Sequence, residues 1–213
     1  MSIFLFIFAF LFSLAIHEAA HAWMADRLGD PTARIEGRLS LNPLRHLDPL
    51  GTLLTFFLIV SGSPIIFGWG KPVPFDPFNL RNPRRDTALI SLSGPLSNLI
   101  LATLLAIIIR LGHLFLGATG FRLEMILSPI IQLNVTWGLF NLLPLHPLDG
   151  GKVLVGFLPS DLAYKWDEIL HQYGLIILIF LVFPFAGTPP LFLILSPLAR
   201  LVLAILLPGT PLI

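Results

Sequence analysis

The sequence predicts an all-α polytopic membrane protein of about five to six transmembrane segments, with a re-entrant segment and short extended strands near its functional site. Three observations predict it. Apolar residues make up 55% of the 213-residue chain and charged residues 12%, about half the charge of a soluble domain. The apolar residues fall in runs long enough to cross a bilayer at about 1.5 Å per residue. Finally, 19 prolines and 17 glycines punctuate these runs, so helices end sharply or break. A membrane tolerates that only where protein or a water-filled cavity satisfies the freed backbone groups.

Five segments have spanning length, roughly 2–25, 88–111, 124–145, 169–185 and 190–207. The first could be taken for a cleaved leader. It has no Lys or Arg before Arg27, however, and it carries His17, Glu18 and His21, so it reads as a retained span. A sixth run, about 50–67, is shorter and is broken by Ser61-Gly62-Ser63-Pro64. If it crossed, Lys and Arg would divide six against six and give no orientation. If it dips in and returns, one side collects Arg27, Arg34, Arg38, Arg45, Lys71, Arg81, Arg84, Arg85, Lys152 and Lys165. The other side keeps Arg110 and Arg122. Ten against two is a positive-inside signal, so the re-entrant reading is preferred, with residues 26–87 cytoplasmic. It also makes the first and 124–145 spans parallel and brings His21 and Asp149 to one membrane face. Residues 68–78 hold a proline every two or three positions and are expected to be extended. No internal repeat or appended soluble domain is visible, so residues 1–213 read as one integral-membrane domain.

The net charge of +1 says nothing about nucleic acid, but no basic cluster interleaved with aromatics appears, so no nucleic-acid partner is expected. The absence of cysteine excludes disulfides, thiolate metal sites and cysteine nucleophiles.

His17-Glu18-Ala19-Ala20-His21 fits His-Glu-x-x-His. On a helix, positions i and i+4 share a face, so both imidazoles can reach one metal. Glu18 lies about 100° around the helix, placed to take a proton from a metal-bound water. Five residues can match by chance, but here they lie in an apolar span. A carboxylate centred in a bilayer costs about 2.5–3.5 kcal/mol, so such groups must be paired or bound. A catalytic zinc commonly takes three protein ligands and leaves one position open. Asp149 is the candidate third ligand, because it follows an apolar span broken by Pro144 and Pro147. From the residues alone it can equally be an ordinary Asp-Gly turn.

The other polar residues have plain readings beside functional ones. Asn98 either contacts the site or bonds across helices. His46 and Asp48 read as a satisfied turn rather than supports of a ligand. His113 and His171 lie near span ends and read as interfacial. Trp23, Trp137 and Trp166 fit interface or packing roles. Lys71 flanks substrate or contacts lipid headgroups. His146 has no assigned role.

Six segments in order carry a family resemblance. They are His17-Glu18-x-x-His21, Arg38-Leu-Ser-Leu-Asn42-Pro43, Asp48-Pro49-x-Gly51-Thr52, Gly68-Trp-Gly-Lys71-Pro72-Val73-Pro74, Gly94-Pro95-Leu-Ser-Asn98 and Asn141-x-x-Pro144-x-x-Pro147-Leu-Asp149-Gly150. Together they resemble the site-2 protease family of intramembrane metalloproteases, peptidase family M50, in its short form without PDZ or CBS domains. The resemblance covers nearly the whole chain. It implies one Zn2+ per chain held by His17, His21 and Asp149, with Glu18 as general base. It implies that Asn141 helps bind substrate or the developing oxyanion. It also implies a membrane-protein substrate with a transmembrane helix, and a site facing the cytosol from the plasma membrane of a prokaryote. Two rivals remain, a non-catalytic zinc-binding membrane scaffold and an ion transporter. The first has no need of Glu18; the second usually shows paired repeat halves.

Overall fold

The computed structural model describes residues 3–62, 69–184 and 187–207. The described residues are helical and hold no β-strand. Helix α1 is Ile3–Leu28, followed by the single turn α2, Thr32–Ile35, and by α3, Pro49–Val60. Then come α4, Pro83–Leu116, and α5, Ala118–Asn141. The chain closes with α6, Asp149–Phe157, α7, Ser160–Val182, and α8, Pro190–Leu206.

Three stretches are long and apolar enough to cross a membrane, Phe4–Leu28, Pro83–Leu116 and Thr119–Asn141. They match the expected first three spans. The expected spans at 169–185 and 190–207 fall on shorter apolar stretches. The first half of α7 carries Asp161, Lys165, Asp167 and Glu168, and α8 has only 17 residues.

The three long helices pack through small and polar residues. Ser13 and His17 of α1 meet Asn98 of α4, and His21 meets Ile90 further back along α4, so these helices are antiparallel. Along α4 and α5, Pro95 faces Gly138, Asn98 faces Asn134 and Gly112 faces Gly120, again antiparallel. Helices α1 and α5 therefore run the same way. Lipid gives no hydrophobic drive between helices, so close backbone approach and interhelical hydrogen bonds must hold them. A Cβ on Gly120 would stand 2.7 Å from Gly112 backbone, which no side chain permits. Ala102, Ala106 and Ile109 of α4, Ile131 and Val135 of α5, and Ala199 and Leu203 of α8 form the apolar core. The outer faces of α1 and α4 leave Phe8, Phe12, Ile100 and Leu104 exposed, as lipid contact requires.

Helix α3, with 12 residues, is about 18 Å long, short of the roughly 30 Å hydrocarbon core. Residues 63–68, among them Ser63, Pro64 and Gly68, lie outside the described residues. On either side of this excursion the chain meets itself. Leu47 and Gly70 form an isolated antiparallel bridge, and Lys71 N–H donates to His46 carbonyl at 2.8 Å. The expected extended strands reduce to this bridge. Residues 69–76 carry no other regular structure, and Pro77–Asn79 closes into a 3-10 turn.

Asp30 fastens the end of α1 to that turn. Its buried carboxylate accepts from Thr32 N–H and Oγ1–H, from Asp76 N–H at 2.8 Å and from Asn79 Nδ2 at 2.8 Å. Burial alone would raise this carboxyl. The bonds from Thr32, Asn79 and Asp76 outweigh burial and hold it below the ordinary carboxylate range.

Candidate metal centre

The apolar helix α1 places His17 and His21 one turn apart, and their rings meet edge to face with centroids 4.6 Å apart. Each ring is fixed at Nδ1. His17 Nδ1 is 2.7 Å from Asn98 Oδ1, and His21 Nδ1 is 2.7 Å from the Ile90 carbonyl. Both acceptors require Nδ1–H to donate, which leaves each Nε2 lone pair free for a metal.

Asp149 is the first residue of α6, carried there by the turns over 142–148. Gly150 lets this turn close, because a Cβ there would stand 2.2 Å from the Leu143 carbonyl. Asp149 Oδ2 lies 3.1 Å from His17 Nε2 and 3.3 Å from His21 Nε2, and the two Nε2 atoms are 3.0 Å apart. Two donors each about 2.0–2.1 Å from a tetrahedral ion stand about 3.3 Å apart. The spacing and the His-His-carboxylate chemistry both fit zinc. Burial would raise the Asp149 carboxyl, and the neighbouring histidines outweigh it and hold it well below the usual range.

Room for the imidazoles comes from Gly94. A Cβ there would lie 2.3 Å from His21 Nε2 and 2.7 Å from His17 Nε2. Glu18 is buried next to this pair. Its Oε1 faces Gly70, where an added Cβ would come within 3.4 Å of it and within 2.9 Å of Leu14. Bare backbone at Gly70 thus lets the 69–76 stretch lie against α1 beside Glu18. Buried Arg38 supports that stretch by donating from Nη2 to the Lys71 carbonyl.

The structure brings His17, His21 and Asp149 together. Asn141 ends α5, and its Nδ2 donates to the Trp137 carbonyl at 3.0 Å, on its own helix. Helix α5 stops there, so Asn141 and Asp149 stand on different helices rather than on successive turns of one. The amides that line the interior are Asn98 and Asn134. Asn98 Nδ2 donates to Asn134 Oδ1 at 2.8 Å, and Asn134 Nδ2 donates to Ser13 Oγ at 2.9 Å. Both asparagines are fully buried. Asn98 bonds across helices, to Asn134 of α5 and to His17 of α1. Asn134 and Gly94 are additions to the sequence-derived site. A second Asn in an apolar run was the available signal for Asn134.

Replacing Asn98 by Leu should lower zinc affinity roughly 10–100-fold, the usual cost of losing a partner that orients a metal-bound histidine. Competition against a graded chelator series measures this. Unchanged affinity would mean that Asn98 serves helix packing alone.

Beside the centre, α1 and α4 enclose an apolar groove of about 500 Å³. Ile16, Ala20 and Trp23 line it from α1, and Leu96 and Ile100 from α4.

Comparison with known proteins agrees with this geometry. The model of peptidase family M50 matches residues 5–117 and 116–181. The Bacillus subtilis protein named "Putative zinc metalloprotease YwhC" is 40% identical over 173 residues, covering 79% of this chain and 75% of the relative. "Putative zinc metalloprotease Rip2" of Mycolicibacterium smegmatis is 31% identical over 180 residues, covering 84% of this chain and 67% of the relative. Its namesake in Mycobacterium tuberculosis H37Rv is 34% identical over 155 residues, 68% and 53% of the two chains. No solved structure matches the chain. The family match spans most of the sequence, including both histidines and Asp149, and on it this chain belongs to peptidase family M50, the site-2 protease family.

Proposed function

We propose that this chain is a zinc-dependent intramembrane protease that hydrolyses peptide bonds in or near transmembrane segments of other membrane proteins. The observation that carries the reading is the set of three donor atoms 3.0–3.3 Å apart inside a bundle of apolar helices, with a buried carboxylate beside them. One zinc per catalytic centre suits that set. Bound there, zinc would polarise the scissile carbonyl and lower the pKa of its water from 15.7 towards about 7. Glu18 takes the proton of the attacking water and delivers it to the leaving amine. Asn141 Nδ2 donates one hydrogen to the Trp137 carbonyl and keeps a second for the developing oxyanion. The substrate helix lies in the groove between α1 and α4, and must unwind locally because its amides are already hydrogen-bonded. The 69–76 stretch lacks helix, and an unwound substrate segment is taken to pair with it as an added strand.

Purified protein tested for zinc content and for cleavage of a membrane-helix substrate decides the assignment. Asp149→Ala should lose both. Full zinc occupancy in Asp149→Ala would remove it from the ligand set, and undiminished cleavage would rule out zinc-dependent hydrolysis at this centre.

The site is proposed to face the cytosol, with residues 50–67 re-entering. Support comes from the Leu47–Gly70 bridge, the 12-residue length of α3 and the shared direction of α1 and α5. The chain has no native cysteine, so single reporters can be introduced freely. Exposed Glu36 and Arg84 are suitable positions, whereas Arg38 is buried. Glu36→Cys and Arg84→Cys should be labelled only from the cytoplasmic side, and Gly117→Cys only from outside. Labelling of the first two from opposite faces would overturn this topology while leaving the protease reading intact.

A further inference from the structure

Among the described residues a second group of three metal-capable side chains converges away from the catalytic centre: His146, Asp167 and His171. His146 lies in the turns between α5 and α6, three positions before Asp149. Asp167 and His171 are one turn apart on α7 and share a face. His146 Nε2 is 3.5 Å from Asp167 Oδ1, and His171 Nδ1 is 3.3 Å from the same oxygen. The two imidazole centroids are 4.3 Å apart. One potential donor atom from each residue falls within 4.8 Å of the others.

Two glycines on different elements make room for this convergence. A Cβ on Gly174 of α7 would stand 2.6 Å from the His146 carbonyl oxygen and 3.0 Å from its nitrogen. A Cβ on Gly151 of α6 would stand 2.9 Å from His146 Nδ1. His146 is thus held between two bare backbones with its Nε2 turned to α7. The construction resembles that of the catalytic centre: an i, i+4 pair on one helix, with a third donor from the start of α6 there and from the turns before α6 here.

We propose that His146, Asp167 and His171 form a second divalent-metal site of the zinc class, weaker and more exchangeable than the catalytic one. Two imidazoles and one carboxylate suit zinc, cobalt or nickel, and not magnesium or calcium, which require oxygen cages. The distances to Asp167 Oδ1 lie close to the ligand spacing of about 3.3 Å around a tetrahedral ion. The His146 side chain is 12% exposed, against 47% for Asp167 and 68% for His171. One donor is therefore anchored inside while two stand at water, which completes the coordination and lets the ion leave. His171 Nδ1 also donates to the Asp167 main-chain carbonyl at 2.9 Å. Ligation through Nδ1 would exchange that bond, and ligation through Nε2 would keep it. A metal here ties the turns that carry Asp149 to α7 and raises the capacity of the chain from one zinc to two.

The test uses the full chain in detergent, stripped with chelator and titrated with Co2+, followed by visible absorbance and by metal analysis after gel filtration. Wild type should take two equivalents, the second at least tenfold weaker. His171→Ala and Asp167→Ala should keep the tight equivalent and weaken the other at least tenfold; His171 is exposed and Asp167 nearly half exposed, so the fold is not at risk. Asp149→Ala should do the reverse, which separates failure of this site from failure of the catalytic one. A single equivalent in wild type would reduce the cluster to hydrogen bonding. A second equivalent undiminished in both α7 variants would place that metal elsewhere.

Discussion

A Glu18→Gln protein should keep its zinc and its helices and lose its cleavage. Glutamine matches glutamate in size and fills the same space beside Gly70. It cannot accept a proton from water, and a positioned general base typically contributes 10²–10⁴-fold. The expected result is therefore a fall in kcat of at least about 100-fold at unchanged metal content. His17, His21 and Asp149 contact one another without Glu18, so the ligand geometry does not depend on it. Cleavage within tenfold of wild type would move the base elsewhere.

The second large effect is expected where no side chain exists. Gly94→Ala puts a methyl group 2.3 Å from His21 Nε2 and 2.7 Å from His17 Nε2. Something must move, and the cheap movement is at the imidazole tips rather than in the α4 backbone. Both rings would swing out of the geometry that Asn98 and Ile90 impose. The predicted outcome is a helical, folded protein whose zinc affinity falls at least about 100-fold, the upper end of the loss seen when only an orienting partner is removed. Zinc analysis and circular dichroism on the same sample decide it. Normal zinc with normal helicity would mean that the site accommodates the methyl group.

These two residues mark where sequence reasoning reached and where it stopped. Glu18 and the two histidines are legible because a helix places i and i+4 on one face and a bilayer penalises unpaired charge. Asp149 is legible only as one of two readings, since Asp-Gly serves a turn as readily as a metal. Its position at the head of α6 is not, because Gly150 and Gly151 argue against a helix by propensity. They are kept for close approach to the backbone of the preceding turns. Gly94 is illegible for a similar reason: its role is the space it leaves, visible only once α1 lies against it. For Asn141 the resemblance implies a role, and the structure shows one of its amide hydrogens held by the Trp137 carbonyl. In the fold, three long spans follow directly from hydropathy. For α7 and α8 hydropathy is less decisive, because the first half of α7 is charged and α8 has 17 residues.

The ladder Ser13–Asn134–Asn98–His17 also has a consequence in time. Helix α1 is made first, and it carries Ser13, His17, Glu18 and His21 before any partner exists. Asn98 follows His17 by 81 positions, a wait of roughly 4–16 s at ordinary rates of synthesis. Asp149 follows by 132 positions, roughly 7–26 s. Throughout that interval the first helix, apolar enough to cross, carries polar groups without their final partners, at a cost in lipid. A chain halted after α3 would then hold an unpartnered first helix, and its removal by membrane quality control would be faster than that of a chain halted after α5.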